Sequence, residues 1–173
     1  TFEDGIYHLG VHIADPTAYI PEDSIVSDEA RKRTRSLYMI DGCIPMYPLN
    51  LSKDLMGLNE GKRTYGMSYY FDIDSRTGNI IKFDIKAEPI IVTKNMTYDQ
   101  YDYILRHGTY DKNIDKTLIL LNQVSSILKQ VYNEDLIYHE FHTLRDTQVS
   151  RGIVESAMIY TNYNVAKLFD ERE

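Results

Sequence analysis

The sequence predicts an α+β fold, and three observations carry that prediction. The segment GIYHLGVHIAD alternates as a half-buried strand does, with one face formed by Tyr7, Leu9, Val11 and Ile13. Two further alternating stretches flank the turn sequence SRTGN and indicate a hairpin. After Val92 the apolar residues recur at helical spacing instead. Antiparallel strands followed by packed amphipathic helices are the order of an α+β domain.

Composition agrees with a single packed core. The chain has 173 residues, of which 43% are hydrophobic, enough to bury one sizeable core. No apolar run approaches the ~20 residues that a membrane span needs, so no membrane association is expected. The single cysteine, Cys43, excludes an internal disulfide and is expected to be a small core residue. Because the chain begins at Thr1 without a methionine, we expect it to be cut from a longer protein.

The net charge of −7 bears on the partner. An open groove that grips duplex phosphates is usually basic, so the charge argues against that kind of site. An acidic chain can still bind single-stranded nucleic acid through a local basic strip and aromatic platforms inside a channel. The net charge therefore lowers the expectation of RNA binding without excluding it.

The elements of the first half follow from turn and cap residues. Asp15-Pro16 ends the first strand, because proline has no N–H for the ladder. Ser27 is a candidate N-cap for a helix through the basic residues Arg31, Lys32, Arg33 and Arg35. A short strand is expected from Leu37 to Ile40, followed by a turn at Asp41-Gly42. IPMYP then predicts extended chain, and Ser52 is expected to cap a short helix ending near Gly57.

The second half begins with the hairpin and continues with three helices. Its strands alternate through Tyr65, Met67, Tyr69, Phe71 and Ile73, and return through Ile81, Phe83, Ile85 and Ala87. Thr97 and Gln100 form a capping box before a helix that ends at Gly108. A longer amphipathic helix carries Ile114, Leu118, Leu121, Val124, Leu128 and Val131. After the polar connector NEDLIYHEFHTLRD, a last helix has the buried stripe Ile153, Ala157, Tyr160, Val165 and Leu168.

Several candidate sites have simpler interpretations. His139 and His142 are three residues apart, whereas a zincin helix needs histidines four apart with a glutamate between, so an exposed connector is favoured. DIDSRTG lacks the glycine and glutamate of a calcium loop and is interpreted as a hairpin turn. His8 and His12 share one strand face without a carboxylate that the sequence places beside them, which favours solvent-facing histidines over catalytic ones. No metal site and no catalytic residue is predicted within the chain.

Tyrosines are a more informative feature, because the chain has fifteen of them and nucleic-acid bases stack on aromatic rings. Tyr38 follows the basic cluster, so that neighbouring residues could contact a phosphate through a cation and a base through the tyrosine ring. From composition alone, a core tyrosine with a satisfied hydroxyl is the favoured alternative. Glu155 lies among apolar residues in GIVESAMIYTN, and periodicity leaves open an exposed or a buried carboxylate, with the exposed one favoured.

Three longer segments occur in order along the chain: GVHIADPTAYIPEDSIVSDEARKRTRSLYM, IPMYPLNLSKDLMGLNEG and SRGIVESAMIYTNYNVAKLF. The first is similar to a strand, an Asp-Pro or Asp-Val turn, and a helix leading to a tyrosine. The second is similar to an Ile-Pro-Met-x-Pro run, and the third to a helix with Ile-Val-Glu-Glu-Ala-Met. Together they resemble the RNB catalytic domain of the RNase II and RNase R exoribonucleases over nearly the whole chain. The ADPT form is more similar to the RNase II branch.

The resemblance implies a channel that threads single-stranded RNA, where Mg²⁺ activates water to hydrolyse the last phosphodiester and release nucleoside 5′-monophosphates from the 3′ end. Tyr38 matches the position whose ring stacks on the terminal bases. Glu155 matches the acid that helps to hold the 3′-terminal nucleotide. Asp15 matches the aspartate of the turn after the strand and is interpreted as structural. The family's setting is the bacterial cytoplasm, or the mitochondrion for a eukaryotic homologue.

The chain also departs from the family pattern. The metal-binding aspartates of the family lie just before the opening strand, where this chain has only Glu3 and Asp4 at the wrong spacing. The catalytic arginine of the family follows well after Glu173, and Phe141 is an unassigned candidate for a second stacking ring. Residues 1–173 are therefore expected to be the N-terminal and central part of an RNB domain. Magnesium would be bound outside this chain, the chain alone would be inactive, and flanking OB-fold RNA-binding domains are expected in the parent protein.

Two alternatives remain open at this point. The first is a catalytically inactive RNB-like protein that binds RNA or regulates translation after losing its aspartates. The second is an unrelated α+β scaffold whose helical face docks a protein partner, which predicts no binding to single-stranded RNA.

Overall fold

A computed structural model describes residues 1–39, 41–109, 111–135 and 149–170. Its strands are β1 to β6, at Phe2–Glu3, Ile6–Ala14, Leu37–Met39, Gly42–Ile44, Arg63–Asp74 and Ile80–Ile91. Its α-helices are α1 to α4, at Ile25–Arg33, Tyr98–His107, Lys112–Asp135 and Val149–Asp170. A short 3₁₀-helix at Pro16–Ala18 and a π-helical turn at Asn50–Leu55 complete the elements. The predicted α+β class is confirmed.

One sheet has the order β1-β2-β5-β6, and β3 and β4 form a separate two-stranded ribbon. β1 and β2 are joined by a tight hairpin in which Phe2 pairs with Tyr7 and Glu3 with Ile6. Asp4 and Gly5 both have positive φ, at 49° and 80°, as a two-residue hairpin turn of type I′ requires. This hairpin was not among the predicted elements, although an Asp-Gly pair before alternating residues is a strong short-range sign of one.

The predicted hairpin between β5 and β6 is confirmed. The Asp74 carboxylate accepts hydrogen bonds from the Thr77 amide at 2.7 Å and from the Thr77 hydroxyl at 2.8 Å. These bonds lower the pKa of Asp74, because they stabilise its charged form. The turn is closed by the bond from the Asp74 amide to the Asn79 carbonyl. Asp74 is thus a turn-forming residue, which agrees with the hairpin interpretation of DIDSRTG.

Residue contacts divide the chain into two compact units, and β2, β5 and β6 contribute residues to both. The first unit comprises residues 1–11, 69–84 and 96–173. Its core contains Leu9, Phe71, Ile73, Val124, Leu128 and Tyr160. The Phe71 ring stacks on Phe83 with centroids 4.7 Å apart, and its centroid lies 5.1 Å from that of Tyr160. Aromatic packing therefore joins the hairpin to α4.

The second unit comprises residues 12–68 and 85–95. Here the buried face of β5 is the opposite of the one predicted, since Thr64 and Ser68 are fully buried while Tyr65 is exposed. Gly66 explains the change, because a Cβ at this position would lie 2.4 Å from the Ile90 side chain and 2.8 Å from the Ile13 carbonyl. The close approach of backbone and side chains admits only small residues on this face.

The helices of the first unit follow the prediction closely. The Thr97 hydroxyl accepts from the Gln100 amide and the Gln100 side chain accepts from the Thr97 amide, so the capping box is confirmed. In α4, Ile153 and Tyr160 are buried as expected, but the other buried positions are Ser150, Ser156 and Thr161. Small polar residues thus take much of the face that the prediction gave to Ala157, Val165 and Leu168, which are half-buried.

Two predicted caps are wrong. α1 begins earlier than expected, because the Ser24 hydroxyl, and not that of Ser27, accepts from a first-turn amide. Ser52 does not cap a helix but lies inside the π-helical turn, where its hydroxyl donates to the carbonyls of Pro48 and Leu49. Within the described residues, the helices lack the combination of length and apolar character needed to cross a bilayer.

Tyr101 yields a prediction about alkaline stability. Burial raises its pKa to about 12 from the usual 10, with a smaller contribution from the neighbouring Asp102 charge, and its hydroxyl donates to the Leu118 carbonyl at 2.9 Å. A pKa raised in the folded state means that the unfolded chain deprotonates first, so this stabilisation is present below pH 10 and is lost as the pH rises towards 12. We expect Tyr101→Phe to flatten the fall of the unfolding free energy over this range.

The measurement is urea denaturation at a series of pH values from 8 to 11, roughly spanning the onset of phenol ionisation. Tyr103→Phe is the matched control, because Tyr103 lies on the same helix and is 62% exposed. Equal pH slopes for the wild type and Tyr101→Phe would contradict the assignment.

Candidate nucleic-acid interface

Tyr38 lies on the two-stranded ribbon of the second unit. β3 and β4 pair antiparallel, with Leu37 opposite Ile44 and Tyr38 opposite Cys43. Residues directly opposite in an antiparallel pair point to the same face, so Tyr38 and Cys43 share one face and Leu37 and Ile44 share the other. The ribbon follows from the predicted turn at Asp41-Gly42, whereas β4 as the returning strand was not predicted.

The ribbon is unusual in its exposure. Its six residues are all exposed, and the Tyr38 side chain is 85% exposed. The interpretation of Tyr38 as a core tyrosine is therefore wrong, and so is the expectation that Cys43 is a core residue. An exposed phenol ring offers its face to a planar ligand, and a nucleic-acid base is such a ligand.

α1 presents basic side chains just before the ribbon. Arg31, Lys32 and Arg33 occupy its last turn, where the helix dipole favours positive charge. Arg33 holds the ribbon to the helix, because its Nε donates to Glu29 at 2.8 Å and its Nη1 donates to the Pro45 carbonyl at 2.8 Å. The hydrogen bond from Arg33 lowers the pKa of Glu29. A second link is the bond from the Met46 amide to the Ser36 hydroxyl.

These cations differ in their availability. Arg31 pairs with Glu22 at 2.7 Å and Arg33 pairs with Glu29. Lys32 and Arg35 are exposed and have no ion pair within the described part of the chain. Lys32 and Arg35 are therefore the cations of this segment that are available for phosphate groups.

Asp15 lies at the end of β2, in the second unit, and is almost fully buried. Its Oδ1 accepts from the Thr17 amide at 2.9 Å and from the Thr17 hydroxyl at 2.6 Å, which caps the 3₁₀-helix at Pro16–Ala18. Its own amide donates to the Tyr65 carbonyl on β5. The carboxylate is thus occupied with the backbone of the turn.

Glu155 lies on α4, in the first unit, and its side chain is exposed. The opposite face of the helix is buried through Ile153, Ser156 and Tyr160. Val154 and Met158 are exposed near Glu155, at 49% and 38%. The carboxylate therefore stands on an outward face with apolar neighbours, a setting in which it could accept hydrogen bonds from a ligand's hydroxyl groups.

The two strand histidines are exposed, and each has a partner that the sequence did not reveal. His8 Nδ1 lies 2.7 Å from Asp72 Oδ1 across the sheet. His12 Nδ1 lies 2.8 Å from the Ser68 hydroxyl. Both pairs join β2 to β5, and only the register between strands far apart in sequence could show them.

No group of three or more His, Cys, Asp or Glu side chains in the described residues could hold a metal ion. His139, Phe141 and His142 lie outside the described residues. A cavity of about 330 Å³ in the first unit, lined by Tyr7, His8, Leu9, Lys116 and Leu121 among others, involves neither Tyr38 nor Glu155. The described residues thus offer an exposed aromatic ring near two exposed cations, but they contain no group of side chains that would fit Mg²⁺.

Comparison with known proteins decides the family, because the model of the RNB domain matches residues 1–173 in full. The chain belongs to the RNB family. Ribonuclease R of Thermotoga maritima is 30% identical over 96% of this chain, and the match covers 26% of that protein. The chain thus spans about a quarter of the length of this relative. The interpretation as an unrelated scaffold is therefore wrong, whereas the assignment to the RNase II branch stays a prediction.

Solved structures show the same fold. An RNase R from Mycoplasma genitalium, in complex with ribose-methylated single-stranded RNA, superimposes with a TM-score of 0.81 and 23% identity, over 95% of this chain and 29% of that one. Yeast Ssd1, described as a pseudonuclease, superimposes with a TM-score of 0.77 and 21% identity, over 95% of this chain and 22% of that one. The RNB fold thus occurs both in nucleases and in a protein described as a pseudonuclease.

Proposed function

We propose that this chain is the N-terminal and central part of the RNB domain of a hydrolytic exoribonuclease. The parent protein would degrade single-stranded RNA processively from its 3′ end and release nucleoside 5′-monophosphates. The observation that carries the proposal is the exposed Tyr38 ring on the ribbon that follows Lys32 and Arg35, two cations without an ion pair among the described residues. Stacking contributes ~1–3 kcal/mol per base whatever its identity, and a cation beside it neutralises the phosphate.

In this proposal the residues of the chain bind and orient RNA. Tyr38 stacks on a base near the 3′ end, Glu155 accepts hydrogen bonds from the terminal nucleotide, and Asp15 shapes the turn after β2. By the family resemblance, the ligands of Mg²⁺ would come from outside this chain, together with the family's arginine and the flanking OB-fold domains. The cytoplasm, or the mitochondrion in a eukaryote, is the proposed compartment.

The net charge of −7 is compatible with this role. The two cations that would meet RNA, Lys32 and Arg35, lie within the five residues from Arg31 to Arg35, which contain four of the chain's 19 lysines and arginines. The remaining acidic surface need not touch RNA if the strand is held locally. A local strip of this kind binds single strands through stacking and a few phosphates, without a broad basic groove.

A second candidate function is an inactive RNB-like protein that binds RNA. The observation that favours it is the similarity to yeast Ssd1, a protein described as a pseudonuclease. The parent sequence before Thr1 distinguishes the two, because the nuclease requires an intact aspartate cluster there. An RNB-like binding protein would keep the Tyr38 surface and lack that cluster.

Tyr38→Ala tests the role of the ring in the parent protein. Since Tyr38 is 85% exposed, the variant should fold with an unchanged melting temperature. Loss of one stacked base, ~1–3 kcal/mol, should make the enzyme release its substrate early and leave a longer end product on a denaturing gel. Tyr38→Phe keeps the ring and should restore the wild-type length, and Tyr103→Ala is the control for an exposed tyrosine elsewhere. An end product of wild-type length from Tyr38→Ala would count against the assigned role.

Cys43 supplies an independent test, because the thiol is exposed and lies on the same face of the ribbon as Tyr38. Free protein should react with a maleimide without denaturant, and saturating single-stranded RNA should slow that reaction, because a bound strand would cover the thiol. A blunt DNA duplex at the same nucleotide concentration is the control, because its paired bases cannot stack on Tyr38. An equal labelling rate with and without single-stranded RNA would remove the ribbon from the interface.

The isolated 173-residue chain should not catalyse the reaction. Its described residues cannot gather enough carboxylates around a divalent ion, whereas hard cations need several oxygen ligands. Incubation with 3′-labelled RNA and Mg²⁺ should therefore release no mononucleotides, while the full-length parent protein releases them. Metal-dependent release by the isolated chain would refute this division of roles.

A further inference from the structure

A buried carboxylate in the first unit has no place in the proposed function so far. Asp102 lies on α2 and is only 8% exposed. Its Oδ1 accepts from the Ser150 amide at 3.0 Å, and the Ser150 hydroxyl donates to the Tyr98 carbonyl at 3.2 Å. Ser150 belongs to the first turn of α4. Asp102 therefore caps the start of α4 from a helix 48 residues earlier in the chain.

This contact is well suited to holding α4 in place. The first amides of a helix have no partner within the helix, and the helix dipole favours a negative charge beside them. A buried carboxylate is costly unless it is hydrogen-bonded, so α2 and α4 each satisfy a polar group that the other would leave unpaired. A shift of α4 along its axis would break the hydrogen bonds of Ser150 with Asp102 and with the Tyr98 carbonyl.

A second restraint fixes the rotation of α4. The Ser125 hydroxyl on α3 lies 2.8 Å from the Ser156 hydroxyl, and this pair is buried. Gly152 sits so close to α3 that a Cβ there would lie 2.5 Å from the Lys129 ammonium nitrogen. Glu155 lies between these two anchored positions, Ser150 and Ser156, and faces outward.

We propose that Asp102 is a positioning residue for the RNA 3′ end, acting through Glu155. By capping α4 it holds the Glu155 carboxylate where the terminal nucleotide is bound. This inference rests on the proposed function, because it takes Glu155 as the group that contacts RNA. Asp102 itself, being buried, touches no substrate.

The test uses the full-length parent protein and a 5′-labelled single-stranded RNA in a double-mutant cycle. The proteins are wild type, Asp102→Ala, Glu155→Ala and the double variant, and the readouts are the degradation rate and the RNA dissociation constant. Asp102→Ala should reduce the degradation rate about tenfold, since a displacement of about 1 Å can cost up to about 100-fold. In the Glu155→Ala background the same change should have almost no further effect, because the group that it positions is already absent.

Two further variants separate positioning from simple stabilisation. Asp102→Asn keeps an oxygen acceptor for the Ser150 amide and should retain a near wild-type rate. Asp115→Ala is the matched control. The Asp115 carboxylate also accepts a hydrogen bond from a backbone amide, that of Thr109, at 2.7 Å in the same unit, but Asp115 lies on α3 and does not contact α4 through this bond. This variant should lower the melting temperature, and any effect on rate should be the same with and without Glu155. If Asp102→Ala does not fold, Asp102→Ser replaces it, because the serine oxygen stops one bond short of Oδ1.

The outcomes distinguish the inference from the proposed function. If the wild type degrades RNA but Asp102→Ala lowers the rate equally in both backgrounds, Asp102 is only a stabilising residue and the inference is overturned. A failure of Asp102→Asn to recover the rate also overturns it. If the wild type neither binds nor degrades single-stranded RNA, the proposed function fails and the inference falls with it.

Discussion

The packing of Phe71 is the constraint on which the first unit depends. Its side chain is fully buried, and its ring contacts Phe83 on the neighbouring strand and Tyr160 on α4. A single side chain therefore joins the hairpin to the helix that carries Glu155. Because aromatic rings bury large areas and prefer defined relative geometries, this contact both stabilises the unit and holds α4 against β5 at Tyr160.

Buried hydrogen bonds between helices add a second set of restraints to this aromatic packing. Burial of Asp102, Ser125 and Ser156 is tolerable only because each has a hydrogen-bond partner on another helix. In the second unit the Arg33 guanidinium plays a comparable part, since it links α1 to the chain that follows the ribbon. The exposed side chains proposed to meet RNA thus stand on elements that are each held by side-chain contacts to a neighbouring segment.

Much of the fold was accessible from local patterns. The β5–β6 hairpin, the Thr97–Gln100 capping box and the length of α3 follow from turn chemistry and periodicity, which act over a few residues. The errors arose where several local solutions compete. Ser24 and Ser27 are both good N-caps, and only the real start of α1 selects Ser24. In the first part of β5 the small residues are buried and Tyr65 is exposed, the reverse of the prediction. Gly66 allows Ile13 and Ile90 to approach the strand closely, and an alternation of apolar and polar residues does not encode such an approach.

The sequence by itself determined the α+β class, the family resemblance and the candidate residues Tyr38 and Glu155. It could do so because motifs and periodicities are local properties of the chain. The tertiary structure alone decided that Tyr38 and Cys43 are exposed, that His8 meets Asp72, and that Asp102 caps α4. Exposure and such pairings depend on which distant segments pack together. A buried polar group is costly unless it is hydrogen-bonded, and here its partner belongs to a segment far away in the sequence.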